Sequence, residues 1–218
     1  MTDGIFVVDN FIPREDVRAV REEIEKVSLK PTIQAKSIRT DKVSWVSEHF
    51  NGPLGQCVKT MKGIGACFED VLGKLEAPSR CMVAAYEEPG GVTATEKPNG
   101  YRTHLDHQPP ADDDLYWLWK SSREQSERKL TSILYLNDES WDSDQLEGHG
   151  NGGNLRCYLN CNEGDDSGKT ATGTKDIAPI GGRLVVFLSR KIPHEVLPTR
   201  SGKRVALSCW HIGSSNPS

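Results

Sequence analysis

The sequence lacks the features of a membrane protein, a secreted protein or a nucleic-acid-binding protein. Its 218 residues contain no apolar run that approaches the ~18 residues of a membrane span. Acidic residues stand near the N-terminus, where a secretory signal carries Lys or Arg. The formal net charge of −4 argues against a basic face for nucleic acid or anionic lipid. We therefore expect a cytoplasmic or nuclear protein that binds neither nucleic acid nor membranes.

The six cysteines show no pattern of a disulfide framework or a zinc site. No C-x-x-C pair occurs, and Cys157 and Cys161 in "CYLNC" are spaced too widely for a common zinc knuckle. The others are scattered, mostly inside apolar stretches: Cys57, Cys67, Cys81 and Cys209. Without a secretion signal, we expect reduced thiols that mostly lie in the core.

The length and the absence of repeats predict one domain that spans residues 1–218 and buries a full core. A short strand is predicted at 4–9, and a strand or hairpin at 37–46. Pro13 opens an amphipathic helix whose apolar residues recur at spacings of three and four: Val17, Val20, Ile24 and Val27. A second helix is predicted over 54–75, although four glycines weaken it. Its apolar face comprises Leu54, Cys57, Met61, Ile64, Phe68, Val71 and Leu75.

From residue 80 onward, short runs rich in Val, Leu, Ile and aromatic residues predict strands. These runs are "RCMVAAY", "LTSILYLN", "NLRCYLN", "RLVVFLS" and "RVALSCWHI". We predict a mainly β fold with flanking helices (α+β), in which a jelly-roll core (a double-stranded β-helix) spans 80–213. The N-terminal helices and strands, within residues 1–79, buttress this core.

Three long polar connections, 87–100, 107–127 and 160–176, interrupt the predicted strands. The second contains "LYWLW" (115–119), which is too aromatic for a plain loop. We expect this pentapeptide to form a short helix or a portion of a lid.

The segment "YRTHLDHQ" (101–108) contains a candidate metal-binding pair. His104 and Asp106 project from the same face of an extended segment, so both can reach one ion. An H-x-D pair is common by chance and needs a third ligand. His194 is the candidate, because it follows the buried-strand pattern "GGRLVVFLS" and the turn at Pro193. Two histidines and one carboxylate are the ligands of non-haem Fe(II) oxygenases, whereas zinc prefers a closed tetrahedral set or sulfur.

The other histidines are expected outside the metal site. His107 points to the opposite face of the strand from Asp106, which favours a surface position or a place behind the ligands. His49, His149 and His211 show no ligand spacing, and we interpret them as structural.

Arg204 heads the predicted strand "RVALSCW" shortly after His194. An arginine inside a barrel requires an anion, and its planar guanidinium suits a carboxylate. The distal carboxylate of 2-oxoglutarate is such an anion, and Tyr135 can offer it a hydroxyl. The alternative is that Arg204 is a surface residue at the start of a strand.

Six blocks of the sequence resemble, in the same order, those of the 2-oxoglutarate-dependent prolyl 4-hydroxylases. They are "IRTDKVSW" (38–45), "YRTHLDH" (101–107), "LTSILYLN" (130–137), "GGNLRCY" (152–158), "RLVVFLSRKIPHEV" (183–196) and "RVALSCW" (204–210). The resemblance covers residues 4 to 213. It is greatest to the intracellular hypoxia-inducible-factor prolyl hydroxylases and their protist relatives that modify a Skp-type ubiquitin-ligase adaptor. "IRTDKVSW" is the more specific block, because it lies outside the chemistry.

The resemblance implies an enzyme that uses Fe(II), O2 and 2-oxoglutarate, with ascorbate as reductant, to hydroxylate a proline of a target protein in oxygen sensing. His104, Asp106 and His194 match the iron ligands. The residues that match the 2-oxoglutarate pocket are Arg204 and Tyr135 at the 5-carboxylate, Tyr86 near the chelating end, and Leu155 and Trp210 as apolar walls. Tyr101 and Arg128 match residues of the peptide groove, and Arg39 falls in the finger that folds over the peptide.

The sequence departs from this pattern in three connections. The gap from His194 to Arg204 is one residue longer than in the animal enzymes, but the alignment of "RVALSCW" favours Arg204 over Lys203. The connections 107–127 and 160–176 are also longer and border the expected substrate side.

Two other functions stay open. One is a 2-oxoglutarate oxygenase that hydroxylates another protein residue or a small molecule, and the other is a non-catalytic jelly-roll module that holds a metal. The sequence gives no indication of the oligomeric state, and a monomer is favoured.

Overall fold

The computed structural model describes residues 4–32, 38–76, 78–87, 100–106, 126–138, 140–141 and 150–214. The expectations for His107, His149 and the segment "LYWLW" fall outside these residues. None of the helices within them combines the length and apolar character that crossing a membrane requires.

The N-terminal strand and helix form where the sequence pattern predicts them. Strand β1 spans Ile5–Val8 and helix α1 spans Arg14–Ile24, directly after Pro13. Three predicted apolar residues of α1 are buried: Val17, Val20 and Ile24. Val27, beyond the end of the helix, packs against the same core.

The predicted continuous helix over 54–75 is wrong. The segment forms α2 (Pro53–Gly63), a 3-10 helix (Ile64–Phe68) and α3 (Glu69–Leu72). Within the tighter 3-10 helix, Gly65 packs against His211, where an added Cβ would lie 2.7 Å from the imidazole Nδ1. The tighter turn rotates the following residues, so Val71, predicted in the apolar face, is 83% exposed.

The strands form two antiparallel sheets. They are β2 (Lys30–Pro31), β3 (Lys42–Val46), β4 (Cys81–Glu87), β5 (Tyr101–His104), β6 (Ser126–Tyr135), β7 (Leu155–Leu159), β8 (Gly173–Ile177), β9 (Leu184–Leu188), β10 (His194–Val196) and β11 (Lys203–Ser214), together with β1. The large sheet has the order β1-β9-β6-β11-β4-β3-β2, and the small sheet has the order β5-β10-β7-β8. The predicted mainly β class with flanking helices is confirmed. The interpretation of 160–176 as connection alone is wrong, because β8 begins within it and pairs with β7.

The large sheet is buried on both faces, which explains its nearly continuous apolar strands. Along β4, alternate residues contact the helices (Cys81, Val83 and Ala85) or the small sheet (Met82, Ala84 and Tyr86). The same alternation along β11 turns Arg204, Ala206 and Trp210 toward the space between the sheets. That space contains the residues discussed below.

All six cysteines are free thiols, as predicted. Four of them are buried in the core: Cys57, Cys81, Cys157 and Cys209. Cys67 is exposed, and Cys161 is half-buried.

We predict that His211 makes the fold sensitive to acid. The side chain is fully buried, its Nε2 lies 3.2 Å from Ser132 Oγ, and burial lowers its pKa from 6.5 to about 4. The folded state disfavours the protonated ring. The contribution of His211 to the free energy of unfolding should therefore be fully present above about pH 6.5 and be lost as the pH falls toward about 4. By linkage, this single group reduces the free energy of unfolding by about 2 kcal/mol at about pH 5.

Urea denaturation of the wild type and of His211→Gln at about pH 7.5 and about pH 5 tests this expectation. The variant should lose less stability between the two pH values than the wild type. Equal losses would show that His211 is not responsible.

Candidate active site

Strand pairing in the small sheet brings the three predicted metal ligands together. His104 ends β5, His194 begins β10, and the two residues are directly paired across the strands. Asp106 lies two residues after His104, with Oδ1 3.6 Å from His104 Nε2 and Oδ2 3.7 Å from His194 Nε2. One donor atom from each residue lies within 4.8 Å of the others, which is the spacing of a metal-binding group.

Backbone carbonyls orient both imidazole rings. The Nδ1 atoms of His104 and His194 lie 2.8 and 3.0 Å from the carbonyl oxygens of Arg102 and Ile192. A carbonyl can only accept, so each Nδ1 carries the proton and each Nε2 has a free lone pair directed toward Asp106. This is the tautomer that a metal ligand requires.

The Asp106 carboxylate is held through one of its two oxygens. Its Oδ2 accepts hydrogen bonds from Thr131 Oγ1 at 3.0 Å and from Trp210 Nε1 at 2.9 Å. Oδ1 therefore remains as the oxygen for a metal ion. Thr131 was not predicted from the sequence, and Trp210 was predicted only as an apolar wall, because cross-strand neighbours are not visible in a linear pattern.

Electrostatics favour the protonation states that a divalent cation needs. Burial alone would raise the pKa of Asp106, but His194, His104 and Arg128 outweigh it and hold the pKa far below its usual range. Burial, reinforced by His104, lowers the pKa of His194 to about 4. At neutral pH the Asp106 carboxylate is therefore ionised and the His194 imidazole is neutral, so a metal ion would not have to displace a proton from either residue.

Arg204 occupies a buried position beside two tyrosines. It is 2% exposed, so the alternative of a surface residue is wrong. Its Nε donates to Gly153 O at 2.7 Å, and its guanidinium carbon lies 5.3 and 5.1 Å from the ring centres of Tyr86 and Tyr135. Among the described residues it forms no ion pair. Lys203 points the other way and pairs with Glu25 at 3.0 Å.

The hydroxyl of Tyr135 is buried and has no hydrogen-bond partner among the described residues. Burial raises its pKa to about 12 against the opposing effect of Arg204, so the phenol stays protonated and can donate. A buried cation and a buried hydroxyl, both without an ionic or hydrogen-bond partner of that kind among the described residues, match the needs of a carboxylate. Arg204 and Tyr135 therefore fit the distal carboxylate of 2-oxoglutarate.

Gly153 allows the chain to approach Arg204 closely. An added Cβ would lie 2.8 Å from Arg204 Cδ and 3.1 Å from Thr199 Oγ1, and the backbone φ is +74°. Both the space and the conformation therefore require glycine. This residue was not predicted from the sequence, although the glycine pair in "GGNLRCY" is a signal of an unusual backbone.

The remaining residues predicted for the co-substrate pocket lie between the two sheets. Tyr86 is paired with Arg204 across β4 and β11, and burial raises its pKa well above the usual value. Leu155 and Trp210 belong to the same buried cluster as Tyr86 and Tyr135. Their contacts with 2-oxoglutarate stay predictions.

The three residues predicted for the substrate side pack around the metal-binding group. Tyr101 stacks on His104 with ring centres 3.7 Å apart, and the Arg39 guanidinium lies 4.5 Å above Tyr101. Arg39 is buried and binds both oxygens of Asp41 at 2.7 and 2.5 Å. Arg128 lies 4.4 Å above the ring of Trp210. We refer to Arg39, Tyr101, Arg128 and Trp210 as the arginine–aromatic wall.

Two histidines and a carboxylate at one end of a double β-sheet, next to a buried carboxylate pocket, define a non-haem Fe(II) oxygenase. The family described as the 2OG-Fe(II) oxygenase superfamily matches residues 90–212, which is more than half of the chain. The protein belongs to this superfamily. It is a 2-oxoglutarate-dependent dioxygenase that uses Fe(II), 2-oxoglutarate and O2.

Several solved structures share the whole fold. A prolyl-4-hydroxylase from Pseudomonas putida is 26% identical, with a TM-score of 0.66 over 96% of this chain and 92% of that one. A prolyl hydroxylase from Trichoplax adhaerens, in complex with a peptide of the oxygen degradation domain of hypoxia-inducible factor, is 24% identical, with a TM-score of 0.65 over 96% and 84%. The epimerase SnoN of nogalamycin biosynthesis is 11% identical, with a TM-score of 0.62 over 98% and 81%. The predicted jelly-roll fold is confirmed.

We predict that the indole N–H of Trp210 supports metal binding. Trp210→Phe removes the donor to Asp106 Oδ2 but keeps an aromatic ring, so Mn(II) affinity should fall by roughly tenfold or more. Trp45→Phe is the matched control, because Trp45 packs against Trp210 at 6.0 Å without bonding to Asp106. Calorimetric titration of the apoprotein with Mn(II) measures both. Equal losses in the two variants would indicate that packing, rather than the hydrogen bond, is responsible.

We also predict that Arg204, and not Lys203, binds 2-oxoglutarate. Arg204→Ala should raise the 2-oxoglutarate KM by an order of magnitude or more, because it removes the charged partner of a buried carboxylate. Lys203→Ala should leave KM nearly unchanged, because Lys203 pairs with Glu25 at the surface. Initial rates of succinate formation measure both constants. A larger effect of Lys203→Ala would reverse the assignment.

Proposed function

We propose that this dioxygenase is a prolyl 4-hydroxylase that hydroxylates a proline of a target protein in oxygen sensing. The expected substrate is a Skp-type ubiquitin-ligase adaptor or a hypoxia-inducible factor, and the expected compartment is the cytoplasm or the nucleus. The observation that carries the proposal is the arginine–aromatic wall, which contacts two of the three metal-ligand candidates directly.

The wall has the chemistry of a peptide-binding surface. Tyr101 stacks on His104, and Trp210 donates to Asp106, so a group bound against these rings would lie next to the metal-binding residues. The guanidinium groups of Arg39 and Arg128 stack on the same rings. Guanidinium groups donate to peptide carbonyl oxygens, and aromatic rings pack against a proline ring. An extended segment with a proline satisfies both features.

Ion pairing to Asp41 holds Arg39 in place before a substrate arrives. The pair is buried, with Arg39 5% and Asp41 1% exposed, and Arg39 also bridges to Tyr101 through the backbone. A side chain that is already held in place loses little conformational freedom when a partner binds, which lowers the cost of binding a peptide. The block "IRTDKVSW", which contains both residues, also carries the most specific sequence resemblance.

Bound Fe(II) and 2-oxoglutarate together supply the oxidising power that inserts one oxygen atom of O2 into a C–H bond, with succinate and carbon dioxide as co-products. His104, Asp106 and His194 would hold the metal, and three protein ligands would leave coordination positions for the co-substrate and O2. Arg204 and Tyr135 bind the distal carboxylate and thereby orient the 2-oxo acid. Thr131 and Trp210 keep the Asp106 carboxylate in position.

The relatives support a protein substrate. The Pseudomonas putida neighbour is a prolyl-4-hydroxylase, and the Trichoplax adhaerens neighbour was solved with a hypoxia-inducible-factor peptide. The second candidate is an oxygenase of another protein residue or of a small molecule, and the similarity to SnoN supports this alternative. A non-catalytic module does not account for the buried Arg204 and the unpartnered Tyr135 hydroxyl.

The function is tested by measuring succinate release with peptides that carry a proline, the same peptides with Pro replaced by Ala, and a set of free metabolites. We expect only the proline peptides to increase turnover, with a product about 16 Da heavier at the proline. His194→Ala should abolish turnover, and His49→Ala, at an exposed position, should preserve it. Stimulation by a metabolite, or by the alanine peptides, would support the second candidate instead.

A further inference from the structure

Thr199 carries a buried hydroxyl that the structure leaves unused. The residue is 1% exposed, and its Oγ1 has no hydrogen-bond partner among the described residues. Threonine hydroxyls that lose water normally gain a protein partner in return. An unused buried donor next to a ligand pocket is therefore a candidate contact to the ligand.

Backbone pairing fixes the position of Thr199. Its segment runs antiparallel to residues 151–154, with hydrogen bonds from Gly153 N to Pro198 O at 2.9 Å and from Arg200 N to Asn151 O at 2.8 Å. Thr199 itself forms a β-bridge with Gly152. The hydroxyl is thus presented by a rigid two-stranded segment rather than by a free loop.

The hydroxyl shares its pocket with Arg204. A Cβ atom added to Gly153 would lie 2.8 Å from Arg204 Cδ and 3.1 Å from Thr199 Oγ1. The two side chains therefore flank the same point of the backbone. The guanidinium carbon of Arg204 in turn lies 5.1 Å from the ring centre of Tyr135, whose buried hydroxyl also lacks a partner within the described part of the chain.

We propose that Thr199 donates a hydrogen bond to the distal carboxylate of 2-oxoglutarate and, with Arg204 and Tyr135, selects a dicarboxylate over a monocarboxylate 2-oxo acid. The inference rests on the assignment of Arg204 to that carboxylate in the proposed function. A carboxylate accepts several hydrogen bonds, so one cation and two hydroxyls can all be satisfied by it. The Oδ1 of Asn154 also lacks a partner in the described ranges, but it is an acceptor, which a carboxylate cannot satisfy.

The selectivity has a direct physical cause. A monocarboxylate 2-oxo acid of the same length places a methyl group where the carboxylate would lie, which leaves Arg204, Tyr135 and Thr199 unsatisfied. A site built from buried polar groups discriminates strongly against a ligand that lacks the matching group. Thr199 should therefore contribute to affinity for the dicarboxylate and contribute nothing to affinity for the monocarboxylate.

Thr199→Val tests the proposal, because it preserves the shape of the side chain and removes only the hydroxyl. Calorimetric titration in the presence of Mn(II), which prevents turnover, measures the Kd of 2-oxoglutarate and of 2-oxopentanoate. We expect the Kd of 2-oxoglutarate to rise roughly tenfold in Thr199→Val and to recover in Thr199→Ser. The Kd of 2-oxopentanoate should be the same in all three proteins.

Thermal unfolding of the apoprotein separates a ligand contact from a structural role. Because the hydroxyl is unused without ligand, the Tm of Thr199→Val should equal or exceed that of the wild type. An unchanged Kd of 2-oxoglutarate, an equal weakening of both 2-oxo acids or a clear loss of Tm would each overturn the role of Thr199. If the wild type failed to bind 2-oxoglutarate, the assignment of Arg204 would fail and the Thr199 proposal with it.

Discussion

The direct pairing of His104 with His194 across β5 and β10 is the constraint on which the site depends. These residues lie far apart in the sequence, and only the antiparallel register of the small sheet brings their rings to 4.3 Å. A register shift of one residue would turn one imidazole to the opposite face of the sheet, and the three ligand atoms would no longer lie together. The neighbouring pairing of β10 with β7 holds this register from the other side, because His194 is also paired with Cys157.

The large sheet supplies the other half of the site, because alternate residues of its strands face the space between the two sheets. Its inward residues on β11 include Arg204 and Trp210, so one strand provides both the buried cation beside Tyr135 and the donor to Asp106. The outward neighbour Lys203 reaches the surface and pairs with Glu25. Helices cover the outer face of this sheet and the small sheet covers its inner face. The polar groups between the sheets must therefore find partners in each other or in a ligand.

Much of the site could be predicted from the sequence, because residues of the right chemical type stand at the ends of predicted strands. The H-x-D pair, a histidine after a buried strand and an arginine at a strand start predicted residues that the fold does bring together. The alternation of residues along a strand did not by itself distinguish Arg204 from Lys203. Two adjacent residues point to opposite faces, and only the pairing of β11 with β4 shows which of them faces inward.

The features that the sequence did not predict all depend on tertiary contacts. Gly153 and Thr199 matter because two loops pair with each other, which no local pattern encodes. The helix predicted over 54–75 is broken where Gly65 meets His211, a residue at the opposite end of the chain. Thr131 supports Asp106 from a strand of the opposite sheet, in a stretch whose sequence indicates only a buried strand.

The anchoring of the two imidazoles has a consequence for metal loading. Each ring is held by the carbonyl of the residue two positions before it, so its orientation is determined within its own stretch of chain and does not require an ion. Rotational freedom is thus lost during folding and not during metal capture. The two imidazoles are therefore already oriented for an ion in the folded chain, so capture of the ion does not require refolding around them.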